Sequence, residues 1–136
     1  MDIRASIALV EGLQFVETAA APTPPPGYAP ILKDRYEIAA YIERCSVSYV
    51  DVEFIEEHYR GAKAVLRLVP VAEVEQGSAE GNVRVKAREK RYAKMDPATV
   101  PPLVIEGGKI ADGNHRFRVE VARGATHLWC YDVVDA

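Results

Sequence analysis

Asp112-Gly113-Asn114-His115-Arg116 stands where a short strand-like run gives way to a helical one. A structural turn needs the glycine and at most one capping side chain. A histidine and an arginine directly after it add chemistry. The first backbone N–H groups of a helix have no partner within the helix, and they carry the positive end of its dipole. Phosphates bind such ends. Gly113 lets a ligand approach the backbone, and Asn114 and His115 add donors without fixed charge. Arg116, in the first turn, has a planar fork suited to phosphate oxygens. Arg118 points away from Arg116 and either reaches the rim or pairs with a local acid. Asp112 either caps the helix or helps hold a divalent metal such as Mg²⁺. The plainer alternative makes Asp112 a cap, Gly113 a turn, and Arg116 with Glu120 a surface ion pair.

Other clusters are weaker. Arg84, Lys86, Arg88, Lys90, Arg91 and Lys94 crowd one stretch, opposed by Glu89 alone. They form either a basic wall beside a phosphate site, a patch for nucleic-acid backbone, or a solvated helix face. Tyr92, among them, is expected to pack inward. Glu53, Glu56, Glu57 and His58 are read as a solvated helix face, with Glu56 and Arg60 as an ordinary helix pair. His127 and Trp129 share one side of the last strand. No serine or cysteine triad and no Walker-type P-loop is present, and no general base is assignable.

The elements that must position these residues follow from local pattern. "DRYEIAAYIERC" (34–45) is a helix with Asp34 as N-cap and a stripe of Ile38, Ala39, Tyr41 and Ile42. A second helix is expected from Asp51 to Gly61. "AVLRLVPVAEV" (64–74) reads as a strand broken by Pro70. Residues 75–82 form a loop and 84–95 a helix. "LVIE" and "KIAD" flank Gly107-Gly108, a pair that supplies the positive φ values of a tight hairpin. Residues 114–123 follow as a helix with Phe117 and Val121 on one face, stopped by Gly124. "THLWCYDVV" (126–134) is the last strand. The pattern is mixed α/β, a single domain over 34–136, after an arm (1–20) and a Pro-rich linker (21–33).

"PPLVIEGGKIADGNHRFRVEVARGATHLWCYDVV" (101–134) resembles the ParB/sulfiredoxin superfamily. Gly113-Asn114-His115-Arg116 matches the Gly-x-x-Arg turn that opens a helix there, and the D-G-x-H-R form is similar to standalone members. "LRLVPVAEV" (66–74) is similar to the family's first strand, and Asn82-Val83-Arg84 to its Asn-x-Arg element. The resemblance implies a single ParB/sulfiredoxin-like domain that binds a nucleotide such as CTP, ATP or ADP. Its phosphates would lie on Gly113, Asn114, His115 and Arg116, with Arg84 closing the site and Mg²⁺ as companion ion. It implies NTP hydrolysis or phosphoryl transfer, with nuclease action on DNA, or a non-catalytic adaptor that dimerises, as rivals. Asn114 stands where sulfiredoxins carry their reactive cysteine, so sulfinic-acid repair is not expected. With Ala136 last, reading DNA through a following helix-turn-helix module is not expected either.

Charge agrees with an anionic ligand. Residues 1–80 carry 13 acids against 7 bases, whereas 81–136 carry 7 against 10. Cys45 and Cys130 show no metal-ligand spacing and are read as reduced thiols of a cytoplasmic protein. No apolar run is long enough to span a membrane. Glu11 and Glu17 interrupt the first twenty residues, so a secretory signal is not expected.

Overall fold

Capping signals set the first two helices. Asp34 accepts from the N–H groups of Tyr36 and Glu37 at 3.1 and 3.0 Å, and opens helix α1, Arg35–Cys45. Its buried residues are the expected stripe, Ile38, Ala39, Tyr41 and Ile42. Asp51 accepts from Phe54 N–H at 3.1 Å and opens α2, Val52–His58. The computed structural model describes residues 23–46, 49–76 and 83–136, without the side chains of 83–88. The N-terminal arm, Asn82 and most of the expected loop at 75–82 lie outside the described residues.

Five strands form one mixed sheet: β1 Ile31–Leu32, β2 Ala62–Pro70, β3 Leu103–Glu106, β4 Lys109–Asp112 and β5 His127–Asp135. Their order is β1-β2-β5-β3-β4. β5 runs antiparallel to β2 and parallel to β3, while β3 and β4 make the antiparallel hairpin. The hairpin turns through Gly107 at φ 60° and Gly108 at φ 82°. Helix α3, Val83–Lys94, precedes β3, and α4, Asn114–Ala122, carries the chain from β4 to β5. The mixed α/β class is the one that the sequence pattern predicts.

Three expected boundaries shift. Residues 31–32 of the expected linker are strand β1, since Ile31 and Leu32 pair with Val65 and Ala64. Tyr28 also packs against the core, so the sheet begins before residue 34. β2 ends at Pro70, Val71 N–H still donates across to Thr126 O at 2.9 Å, and Val71–Glu73 turn as a 3-10 helix. That turn delivers Glu75 to the open edge of β4. There Glu75 N–H donates to Gly108 at 2.7 Å, and Ile110 N–H donates to Glu75 at 2.9 Å. An edge that would otherwise offer bare donors and acceptors is thereby paired.

The alternation of the strands splits the core in two. Ala64, Val104 and Tyr131 face α1 and pack with Leu32, Ile38, Tyr41, Ile42 and Tyr59. Their neighbours Val69, Leu103, Ile105 and Cys130 pack with Ile110 and Phe117. Phe117 is the anchor of α4, as expected, but Val121 is 40% exposed. The buried residues of α4 are Arg116, Phe117, Val119 and Glu120, so two charged side chains take interior positions on this helix.

Candidate functional site

The strand β3 starts after two prolines, and this decides where Arg116 goes. Pro101 and Pro102 have no N–H to offer, but their carbonyls still need donors inside the protein. Arg116 Nη1 donates to Pro101 O at 3.2 Å and to Pro102 O at 3.1 Å. Tyr41 Oη, from α1, donates to the same Pro102 O at 2.5 Å. Arg116 Nη2 donates to Asp112 Oδ2 at 2.7 Å. Arg116 is 3% exposed. Burial alone would lower its pKa, but the Asp112 carboxylate and neighbouring groups raise it above its usual range, so it stays charged.

Gly113 makes this arrangement possible. It is the N-cap of α4 at φ 110°, a left-handed conformation that glycine accepts without penalty. A Cβ at Gly113 would sit 2.6 Å from Leu103 Cδ2 and 3.0 Å from Arg116 Nη2. The glycine therefore leaves room for the guanidinium to fold back beneath the turn. The Gly-x-x-Arg spacing is here an internal strut joining β4, α4 and the strand start of β3.

The sequence expectations for Arg116 and Asp112 change as a result. Arg116 does not sit on the exposed first turn to grip phosphate, because its fork is engaged inward by three acceptors. Asp112 does not cap α4, because Gly113 occupies that position and the carboxylate holds Arg116. Asp112 also fits poorly as a Mg²⁺ ligand, with a buried cation already on its Oδ2. Among the described residues no group of three or more His, Cys, Asp or Glu side chains is placed to hold a metal. The surface pair of Arg116 with Glu120 does not form either. Glu120 is 5% exposed and pairs with Arg123.

The rim of the turn carries a different constellation. His115 Nδ1 lies 3.2 Å from Glu89 Oε2 and 3.2 Å from Arg118 Nη2. Arg118 also donates to Glu89 Oε2. Arg118 thus finds a local acid, one of the two outcomes its position allowed. Partial burial would raise the Glu89 pKa, but hydrogen bonds and charge from Arg118 and His115 outweigh it and hold it below the usual value. Glu89 was visible in the sequence as the lone acid among the bases of α3. Its partner lies 26 residues away, so only the packing of α3 on α4 could reveal the role.

The other end of α4 is tied to α3 as well. Arg123 donates to the carbonyls of Tyr92 at 2.9 Å, Ala93 at 3.2 Å and Met95 at 2.7 Å. These carbonyls lie at a helix C-terminus, where a guanidinium suits them by charge and geometry, and Tyr92 O also accepts from Met95 N–H at 3.0 Å. Tyr92 packs inward at 7% exposure, as expected. Lys90, Arg91 and Lys94 are exposed. Arg84 lies in the first turn of α3, and its side chain is outside the described residues.

Behind Arg116 lies a cavity of about 440 Å³, walled by Leu68, Val100, Pro101, Leu128 and Trp129. It touches Arg116 but neither Asn114 nor His115. Trp129 is half-buried, and its Nε1 is buried without a hydrogen-bond partner among the described residues. His127 is exposed, with Nδ1 3.1 Å from Thr126 Oγ1. The α2 acids behave as a solvated face. Arg60 pairs with Glu57 rather than Glu56, and His58 Nε2 lies 3.4 Å from Glu106 Oε1. Cys130 is buried, which pushes its thiol up to about 12, with Asp132 adding to the effect. No helix among the described residues is long and apolar enough to cross a membrane.

No protein-family model matches the chain, and no curated protein matches it. A solved structure described as the C2221 form of a Pnob8-like ParB-N domain is similar to it. The identity is 12%, over 55% of this chain and 31% of that one, with a TM-score of 0.44.

Proposed function

We propose that this chain binds a nucleoside di- or triphosphate through its phosphates at the start of α4 and carries out phosphoryl hydrolysis or transfer on it. The observation that supports the reading is the pairing of His115 with Arg118 on the rim of a helix start whose cap, Gly113, has no side chain. Imidazole and guanidinium there already hold a carboxylate, so the rim is built for an anion. The backbone of 113–115 lines the same spot, and Arg84 enters the first turn of the adjacent helix.

The division of labour differs from the one the sequence suggested. Arg116 fixes the position of the turn from beneath, while His115 and Arg118 meet the phosphate. Any Mg²⁺ would be carried largely by phosphate oxygens and water, as is usual for this ion. It would neutralise phosphate charge during transfer. Positioning and charge stabilisation are most of what phosphoryl transfer asks of a protein.

The exposed Lys90, Arg91 and Lys94 favour a second reading, contact with a DNA backbone beside the turn. The two readings separate by experiment. Thermal melts with CTP, ATP, ADP and GTP plus Mg²⁺ should show a shift for at least one nucleotide, reduced in Arg118→Ala. A ligand at about a hundred times its dissociation constant adds roughly 2.7 kcal/mol. No shift with any nucleotide, alongside salt-sensitive DNA binding, would favour the second reading. Binding without turnover would make the chain a nucleotide-dependent adaptor, with dimerisation as the property to measure.

A further inference from the structure

We infer that Glu89 is an internal anion that competes with phosphate for His115 and Arg118. The inference rests on the phosphate reading above and adds a residue that controls it. Glu89 Oε2 occupies the Nδ1 edge of His115 and the guanidinium of Arg118, the side chains that would meet the ligand. The three side chains are partly exposed, at 26% for Glu89, 19% for His115 and 29% for Arg118, so solvent and a small anion can reach them. The depressed pKa of Glu89 means that the carboxylate is ionised at neutral pH and is a true competitor.

Displacement has a structural consequence. Glu89 belongs to α3, and among the described residues its contact with α4 is one of two polar clasps between these helices; Arg123 makes the other. An arriving phosphate would release the first clasp and leave the second. α3 would then loosen at its N-terminal half, where Arg84, Lys86 and Arg88 lie, and stay tethered at Tyr92–Met95. Glu89 thus sets a handicap that every anion must overcome. Weakly charged anions fail to overcome it, and polyphosphates, with more negative charge for the same donors, succeed.

The test is titration of wild type and Glu89→Gln with pyrophosphate and with ADP by calorimetry. Hydrogen bonds to charged groups contribute about 1.5–3 kcal/mol, so removing the competitor should tighten both ligands by about tenfold or more. Tighter binding of ADP alone assigns the nucleotide as the ligand; equal gains assign the phosphates alone, and both support competition. If wild type binds and Glu89→Gln binds equally or more weakly, competition is overturned and the phosphate reading stands. If both proteins are folded and neither ligand binds, the phosphate reading fails and competition fails with it. Hydrogen exchange on wild type decides the matter if the variant does not fold. Saturating pyrophosphate should speed exchange in residues 83–89 by several-fold, and unchanged exchange there would overturn the inference.

Discussion

Arg116 Nη2 meets Asp112 Oδ2 at 2.7 Å across the turn that Gly113 makes, and it does so beneath the backbone rather than above it. The pair is the most buried ionic contact of the turn, with Asp112 27% and Arg116 3% exposed. Breaking such a pair from one side leaves a charge without compensation, at a cost of about 3–5 kcal/mol. Asp112→Ala should therefore lose stability of that order in urea unfolding. Arg116→Lys should not rescue Arg116→Ala, because one ammonium cannot span Asp112 and two proline carbonyls with a fixed fork. A loss below about 1 kcal/mol, the scale of a surface pair, would show that the strut does not carry the turn.

Gly113 and Gly124 allow the backbone and steric contributions to be separated. Both have positive φ, 110° and 92°. A Cβ at Gly124 meets nothing within 4 Å, while one at Gly113 strikes Leu103 and Arg116. Gly124→Ala should cost only the conformational penalty, about 1–2 kcal/mol. Gly113→Ala should cost clearly more, because Leu103 and the guanidinium must both move. Equal losses in thermal melts would mean that the space above Gly113 is not needed.

The sequence was most legible where one local signal decides one local structure. Asp34 and Asp51 announced two helices, Gly107-Gly108 the hairpin, and Tyr92 its inward packing. Arg116 was legible as important but not in its direction. Its acceptors are the backbone oxygens of Pro101 and Pro102, and carbonyls leave no mark in a sequence. The Pro-Pro pair was the available clue, since two missing donors in an interior segment call for side-chain donors from elsewhere. Strand β1 was hidden because the surrounding prolines dominate the composition of 21–33, while its pairing depends on Ala64 and Val65 of β2, far along the chain. Glu89 stood out as the lone acid among six bases, but its role was hidden because His115 and Arg118 lie 26 and 29 residues away.

Acid should act on the Glu89 cluster with a defined sign. Arg118 and His115 lower the Glu89 pKa below its usual value despite partial burial. A carboxylate with a depressed folded pKa contributes stability that is fully present above its unfolded pKa. That contribution is lost as pH falls through the folded pKa. Wild-type stability should therefore fall as pH drops below about 4.5, the ordinary value for a glutamate. Glu89→Gln should lose stability at pH 7 and show a shallower slope in that acidic range. Parallel curves for the two proteins between pH 5 and pH 3 would rule out a folded-state role for this carboxylate.

Arg123 offers the complementary test, because it holds α3 from the opposite end. Its guanidinium meets Tyr92 O, Ala93 O and Met95 O, and Glu120 anchors it from α4. Arg123→Ala removes a donor from three carbonyls at once, of which Tyr92 O keeps Met95 N–H, and leaves Glu120, 5% exposed, without its cation. Unsatisfied buried groups cost about 1–3 kcal/mol each, more when charged, but the α3 carbonyls lie near solvent and can be hydrated. The damage should therefore be local. Amide exchange should rise in residues 89–95 while β2 and β5, paired along nine residues, keep their protection. Adding Glu120→Gln to Arg123→Ala should restore part of the lost stability, because the stranded carboxylate disappears, but should not restore protection of α3. Recovery of both together would show that the helix is held by the Glu120 charge alone rather than by the carbonyl contacts of Arg123.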